Sequence, residues 1–428
     1  MIHEIDLMQT QEYQEKLAQC IHCGLCLQAC PTYRLWGDEA DAPRGRIALM
    51  KAAADGRLSQ IDVQTEFNQH INYCLACRSC ESACPSGVQY GFLVEMARQV
   101  VEHNHDIGIV EHFMRWLGMK QLMPYYGRTR WLGRLVRLYE VSGMQNMVRK
   151  MRILPKSLKA MEDLLPEIPA VENQGQEGHS YLPHPSGKVL FFRGCLQDSF
   201  LPNVNQATIR VLQKNGFEVL IPDRQTCCGA AQAHSGDLDT ARRLARQNID
   251  AFTSDQSQYP IISNAGGCGL ALKEYAQLLG DDPDYAVRAQ QFSIMVKDIT
   301  EFIANNTFAM PRREVRARVT YADSCHLRHG QKIIEQPRQI LRQIPGIELI
   351  ELGSPDQCCG SAGIYNILHP EVAEDIMHAK LGDIVSTGAE IVVTSNTGCY
   401  LQIAASLRKS GSTAKVLHII ELLDKSLD

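Results

Sequence analysis

Two short stretches constrain this chain more than any other feature. "CIHCGLCLQACP" places cysteines at 20, 23, 26 and 30, and "CLACRSCESACPSG" repeats the spacing at 74, 77, 80 and 84. Each reads Cys-x2-Cys-x2-Cys-x3-Cys-Pro. Three thiolates at steps of three fit a short loop wrapped around one face of an iron–sulfur cubane. The fourth, held away by a proline turn, reaches the neighbouring cluster. The motif therefore predicts Cys20, Cys23, Cys26 and Cys84 on one [4Fe–4S] cluster, and Cys74, Cys77, Cys80 and Cys30 on another. Structural zinc is the alternative, but it usually pairs two Cys-x2-Cys or Cys/His units across a longer loop.

The sequence around the motifs reads as helix. "PRGRIALMKAAADG" offers Pro43 as a first-turn residue and Gly56 as a stop, and "YGFLVEMARQVVEHN" follows the second motif in the same pattern. An α-helical two-cluster ferredoxin-like domain is expected, rather than a small β-rich ferredoxin. Arg44 and Arg46 read either as charge partners of a cluster or, more simply, as helix-start and surface residues.

Sixteen cysteines would mean disulfides in a secreted chain; in a reducing compartment they point to metal ligation or redox chemistry. The opening "MIHEIDLMQTQEYQEKLAQC" has no charged-then-apolar signal pattern, and no apolar run nears the roughly 18 residues that span a bilayer. A cytoplasmic protein is expected, with a peripheral place at the inner face of the cell membrane left open. The net charge of −5 gives no global case for nucleic acid as a partner.

The other eight cysteines belong to an internal repeat. "KVLFFRGC", "TCCGAAQAHSG" and "IISNAGGCG" answer to "RVTYADSC", "QCCGSAGIYN" and "VVTSNTGC". Cys195, Cys227, Cys228 and Cys268 recur 130 or 131 residues later as Cys325, Cys358, Cys359 and Cys399. Three apolar runs alternate with helical ones in each copy, which predicts two tandem α/β cysteine-rich (CCG) domains with parallel sheets. Every cysteine group then follows a strand, on the edge where open α/β sheets build their sites. Adjacent cysteines on a regular strand face opposite ways; Gly229 and Gly360 allow the backbone to bring both to one place. A vicinal disulfide or inert buried thiols are the plain alternatives. Two sets in register favour a redox or metal role. His234, His326 and His329 lie beside these groups, as ligands or proton carriers or, more simply, as solvated loop residues.

Between the two halves, residues 112–159 are rich in Arg and Lys and hold Trp116 and Trp131. Such helices can lie on an anionic membrane; packing on neighbours or on a partner subunit is the plainer reading. Residues 166–188, rich in Pro, Gly and Gln, read as a linker.

With these features in view, the chain resembles the iron–sulfur subunit of bacterial glycolate oxidase (glycolate dehydrogenase). The resemblance runs through "CPTYRLWGDEADAPRGRI", "CPSGVQYG", "NIDAF", "KEYAQLL" and "CCGSAGIYNILHP". It implies a non-catalytic electron-transfer subunit, with FAD and substrate on partner subunits and quinone or another acceptor downstream. The chain's own Gly-rich spots, "GGCG" and "GSAG", lack dinucleotide-binding spacing. Lactate- and glycerol-3-phosphate-oxidising complexes share the layout, as do heterodisulfide reductases, which would make the CCG domains a thiol–disulfide reductase. In the fuller reductase motif a fifth cysteine follows the last. Here "GLA" follows Cys268 and "YLQ" follows Cys399, so a noncubane cluster is in doubt, while a further conventional cluster stays open. The expected divisions are 1–109 for the helical cluster domain, 110–187 for the basic segment and linker, 188–310 for the first CCG domain and 311–428 for the second.

Overall fold

The computed structural model describes residues 5–104, 108–151, 156–166, 168, 185–253, 258–306 and 308–427. The expected linker lies mostly outside them. The N-terminal part is helical, as its sequence implied. Helices Gln11–Ala18, Pro43–Ala54 and Tyr90–Asn104 close on a core that includes Tyr13, Met50, Phe67, Leu93 and Val94. Pro43 opens its helix and Gly56, at φ +69°, follows its end. Proline's missing N–H costs nothing in a first turn, and glycine takes the left-handed exit without strain.

The second half forms two four-stranded sheets, parallel throughout. Strands β1 (Gly187–Phe192), β2 (Phe217–Leu220), β3 (Ile261–Ser263) and β4 (Val296–Asp298) lie in the order β2-β1-β3-β4. Strands β5 (Ala317–Tyr321), β6 (Ile347–Leu349), β7 (Ile391–Thr394) and β8 (Lys415–His418) repeat that order. The sequence reading had three strands per copy; β4 and β8 are additional. Their short "VKD" and "KVLH" runs carry no alternation long enough to read.

Alternation along β1 shows how the sheets are used. Val189 and Phe191 enter one core, and Leu190 and Phe192 another, as the two-residue period of a strand requires. The first core is shared by both copies. It joins Val189, Phe191 and Ile262 to Val319, Tyr321 and Val393 through helices Pro202–Lys214, Ile299–Ala304, Glu335–Gln343 and Ile419–Ser426. The helices pair across the copies, Pro202–Lys214 on Ile419–Ser426 and Ile299–Ala304 on Glu335–Gln343, so the repeats meet about an approximate two-fold. Arg210 binds Asp424 at 2.6 Å, and His418 Nε2 lies 2.8 Å from the carbonyl of Asn264. Each Val, Ile or Phe fully buried there is worth about 1.5–3 kcal/mol.

The basic segment is also helical. Helix Tyr126–Val141 packs on helix Cys195–Phe200, where Gly133 lets the Ser199 carbonyl approach (a Cβ would sit 2.5 Å from it). Arg130 binds Asp198 at 2.6 Å. The packed-subdomain reading holds for this face. On the other, Trp131, Leu135, Leu138 and Val141 are exposed. Among the described residues, no helix is long and apolar enough to cross a membrane.

Candidate metal centres

Both N-terminal motifs follow one backbone path. His22 and Gly24 take positive φ values of 53° and 82°, and their counterparts Ala76 and Arg78 take 50° and 61°. Left-handed backbone at alternate positions turns the loop so that successive thiols face one centre. For His22, Ala76 and Arg78, which have side chains, that conformation carries a steric cost.

Cys30 joins the second motif, not its own. It lines one cavity with Cys74, Cys77 and Cys80, under Arg46 and Tyr90. Cys20, Cys26 and Cys84 pack against the same helical core, and Cys20 and Cys23 are close enough to Cys26 to raise its pKa beyond the effect of burial. Among the described residues, no three Cys, His, Asp or Glu side chains gather closely enough for a single metal ion. The second motif's thiols line one cavity with Cys30 instead of meeting at a point.

The arginines correct the sequence reading. Arg44 stays half-exposed, its Nη1 donating to the His22 carbonyl at 3.3 Å. Arg46 is fully buried rather than a surface residue. Its guanidinium reaches Asp41 at 3.3 Å and faces Cys30 Sγ at 3.9 Å. Burial opposes its charge, yet Tyr90, Cys74, Cys30 and Asp41 hold its pKa above the ordinary value. Arg98 donates to the carbonyls of Cys74 and Ile71. Arg78, between two motif cysteines, crosses to Glu274 of the first CCG copy, with Nη2 2.9 Å from Oε2. These cations can offset the negative charge of a thiolate-bound cluster. Only the placing of Arg78 inside "CRSC" hinted at such a role.

In the second half every cysteine group sits where expected, past the carboxyl ends of the first three strands of each sheet. Gly229 and Gly360, at φ 83° and 79°, turn each Cys-Cys pair inward. Cys195 Sγ lies 3.4 Å from Cys227 Sγ, and Cys359 Sγ lies 3.1 Å from Cys399 Sγ. None of the sixteen cysteines is in a disulfide, so the vicinal-disulfide alternative does not hold here. Thiol donors hold Cys227 well below the ordinary thiol pKa, Cys195 first and then Cys228. Cys359 is held low by Cys358 and then Cys399. Each copy thus gathers thiols around one cysteine whose ionised form they favour, an arrangement able to ligate metal or exchange electrons.

Two consequences of the tertiary arrangement were not visible in the sequence. The two copies share one cavity of about 130 Å3, lined by Cys195, Cys227, Cys228 and Cys268 from one side and Cys325, Cys359 and Cys399 from the other. The second ferredoxin-type motif also abuts the second copy. Cys77 and Cys358 enter one apolar cluster with Leu75 and Tyr365, and Cys325 packs on it. The Cys77 thiol is pushed up by burial and then by Cys325. The histidines are packed rather than solvated. His326 Nε2 lies 3.0 Å from the Ala76 carbonyl, His329 Nδ1 2.9 Å from Ser82 Oγ, and His234 Nδ1 2.9 Å from Glu95 Oε1. Burial takes His326 down to about 3, so it is neutral.

Comparison with known proteins matches this architecture part by part. The family description "4Fe-4S dicluster domain" fits residues 16–88, "Cysteine-rich domain" fits 189–273 and 319–404, and "Glycolate oxidase iron-sulfur subunit, linker region" fits 110–165. The chain is 40% identical to the "Probable glycolate oxidase iron-sulfur subunit" of Bacillus subtilis, covering 99% of this chain and 98% of that one. It belongs to the glycolate oxidase iron–sulfur subunit family. The Escherichia coli glycolate oxidase iron–sulfur subunit is 33% identical over 96% of this chain and 94% of its own. A crystal structure of a hypothetical protein from Helicobacter pylori shares the fold alone, with a TM-score of 0.53 at 10% identity, over 100% of this chain and 77% of that one. As a family member the chain is an iron–sulfur component of an oxidoreductase complex.

Proposed function

We propose that this chain carries electrons from a flavin on a partner subunit, where glycolate is oxidised to glyoxylate, towards a quinone or another acceptor. The observation that carries this reading is the burial of Cys77 and Cys358 in one apolar cluster with Cys325 packed on it, which sets the second ferredoxin-type motif beside the CCG cysteines. Cys20, Cys23, Cys26 and Cys84 would hold one [4Fe–4S] cluster, and Cys30, Cys74, Cys77 and Cys80 the other. Bound there, they supply one-electron transfer, which a hydride-accepting flavin needs downstream.

The chain's own residues prepare these sites. Arg46 and Arg98 set positive charge against buried thiolates, and Leu75 and Tyr365 keep water from the gap between Cys77 and Cys358. The CCG thiols act beside that path, or as ligands of a further cluster. The same reading places the exposed face of helix Tyr126–Val141, with Trp131, Arg134 and Leu138, against an anionic bilayer. The division at 109, 187 and 310 follows, the last border in a connecting segment and the first two at the opening residues of helix Ile109–Arg115 and of β1.

Anaerobically purified complex should hold about eight iron atoms per chain on the two motifs, and glycolate should bleach their absorbance. A zinc-only preparation would overturn the cluster assignment. Iron-loaded complex bleached by lactate or glycerol 3-phosphate but not by glycolate would overturn the substrate.

A further inference from the structure

A cleft of about 300 Å3 separates helix Tyr90–Asn104 from the first CCG copy. Phe92 and Met96 form one wall, and Ala233, Leu238, Leu270 and Leu278 the other. Cys228, His234 and His326 line both this cleft and the shared cysteine cavity, so the cleft leads to the thiols. Its charged groups are Glu12, Glu95, Glu274 and Asp281 against Arg242. Arg78 pairs with Glu274 and Glu95 from behind the wall, and the carboxylates still in surplus disfavour anions, which argues against a hydroxy acid or a phosphate-bearing dinucleotide. Apolar walls with a few converging polar groups instead suit a neutral, largely apolar ligand.

The floor of the cleft brings a proton carrier to an electron carrier. His234 is hydrogen-bonded to Glu95 at 2.9 Å, and its ring centre lies 5.1 Å from that of His326. His326 in turn contacts the Ala76 carbonyl, between Cys74 and Cys77. A ligand on this floor lies beside the loop of the second motif and within reach of a carboxylate-backed imidazole.

We propose that the cleft binds the headgroup of a quinone, with any tail leaving through the mouth. The inference rests on the electron-carrier reading and names the site of its acceptor. The quinone takes two electrons, one at a time from the chain's iron–sulfur centres, and two protons from solvent by way of Glu95 and His234. Two C=O groups become two C–OH groups, and the quinol leaves.

The test uses the complete complex, reduced first with dithionite and then, separately, with glycolate. Decylubiquinone should reoxidise the reduced clusters, and a photoreactive azidoquinone should label residues 92–96 or 270–278. Ala271→Trp, which fills the cleft, should slow reoxidation by about tenfold or more and abolish the label at unchanged iron content. A label elsewhere, reoxidation of Ala271→Trp at the parent rate, or Ala271-dependent reoxidation by oxidised glutathione instead of decylubiquinone would overturn the proposal. Should Ala271→Trp lose iron, the label position in the parent decides. If dithionite-reduced complex behaves as expected while glycolate fails to bleach the clusters, the substrate reading fails and the cleft stands.

Discussion

Arg46, Arg78 and Arg98 put three guanidinium groups around the second motif, and each also ties it to something else. Arg46 binds Asp41 and the His70 carbonyl, Arg98 the His234 carbonyl, and Arg78 the Glu274 carboxylate. Gly91 makes room for Arg78, since a Cβ there would fall 2.5 Å from the guanidinium carbon. The ligand assignment is also decided at this scale. Cys30→Ser should remove the signal of the cluster held by Cys74, Cys77 and Cys80 and leave the other, and Cys84→Ser should do the reverse. Electron paramagnetic resonance of the reduced complex reads both. Loss of the first-motif signal alone in Cys30→Ser would mean that each motif keeps its own fourth ligand.

The helices that follow β4 and β8 begin alike although their caps differ. Asp298 and His418 each accept from the backbone two residues on, and each is answered by the glutamate three residues on, Glu301 or Glu421. Both caps are fully buried, and burial drives each towards its neutral form. Asp298 rises to about 6 and His418 falls to about 4. For Asp298 the folded pKa lies above the unfolded value of 3.8. Its favourable contribution is therefore complete below pH 3.8 and lost as the pH rises through 6, a penalty of about 3 kcal/mol. Asp298→Asn keeps the acceptor for the Thr300 N–H and removes the charge. It should raise the unfolding temperature at pH 8 and make little difference near pH 4. A variant less stable at pH 8 would show that Asp298 is stabilised as a carboxylate.

At the scale of the molecule, the two repeats stack through a shared helical layer, and the cluster domain lies across their cysteine edges. One face of the basic segment is used in this assembly, and the other exposes Trp131, Leu138 and Val141 at 60%, 65% and 74%. With Arg128 and Arg134 exposed on the same helix, the bilayer contact proposed above gives a direct test. The complex should sediment with phosphatidylglycerol vesicles, less so at high salt. Replacing both Trp131 and Leu138 with Glu should release it. Unchanged sedimentation would assign that face to another partner.

The sequence by itself determined the local parts. Cys-x2-Cys-x2-Cys-x3-Cys-Pro specifies a loop whose thiols converge over a few residues. The 130- and 131-residue offsets specify two copies of one unit, and apolar alternation around Cys195 and Cys325 specifies strands. These are short-range patterns, set by backbone sterics and the two periods of helix and strand. Only the tertiary structure decided that both cysteine sets open into one cavity, that Cys77 meets Cys325, and that His234 turns to Glu95. It also reversed the readings of Arg46 and the three histidines. A charged or polar side chain reads as solvated until its partner is known, and the partners of Arg78 and His326 lie 196 and 250 residues away. What brings them together is the burial of Leu75 and Cys77 with Tyr365, Ala373 and Ile376 in one apolar cluster, a non-directional force that leaves no mark at any single position in the chain.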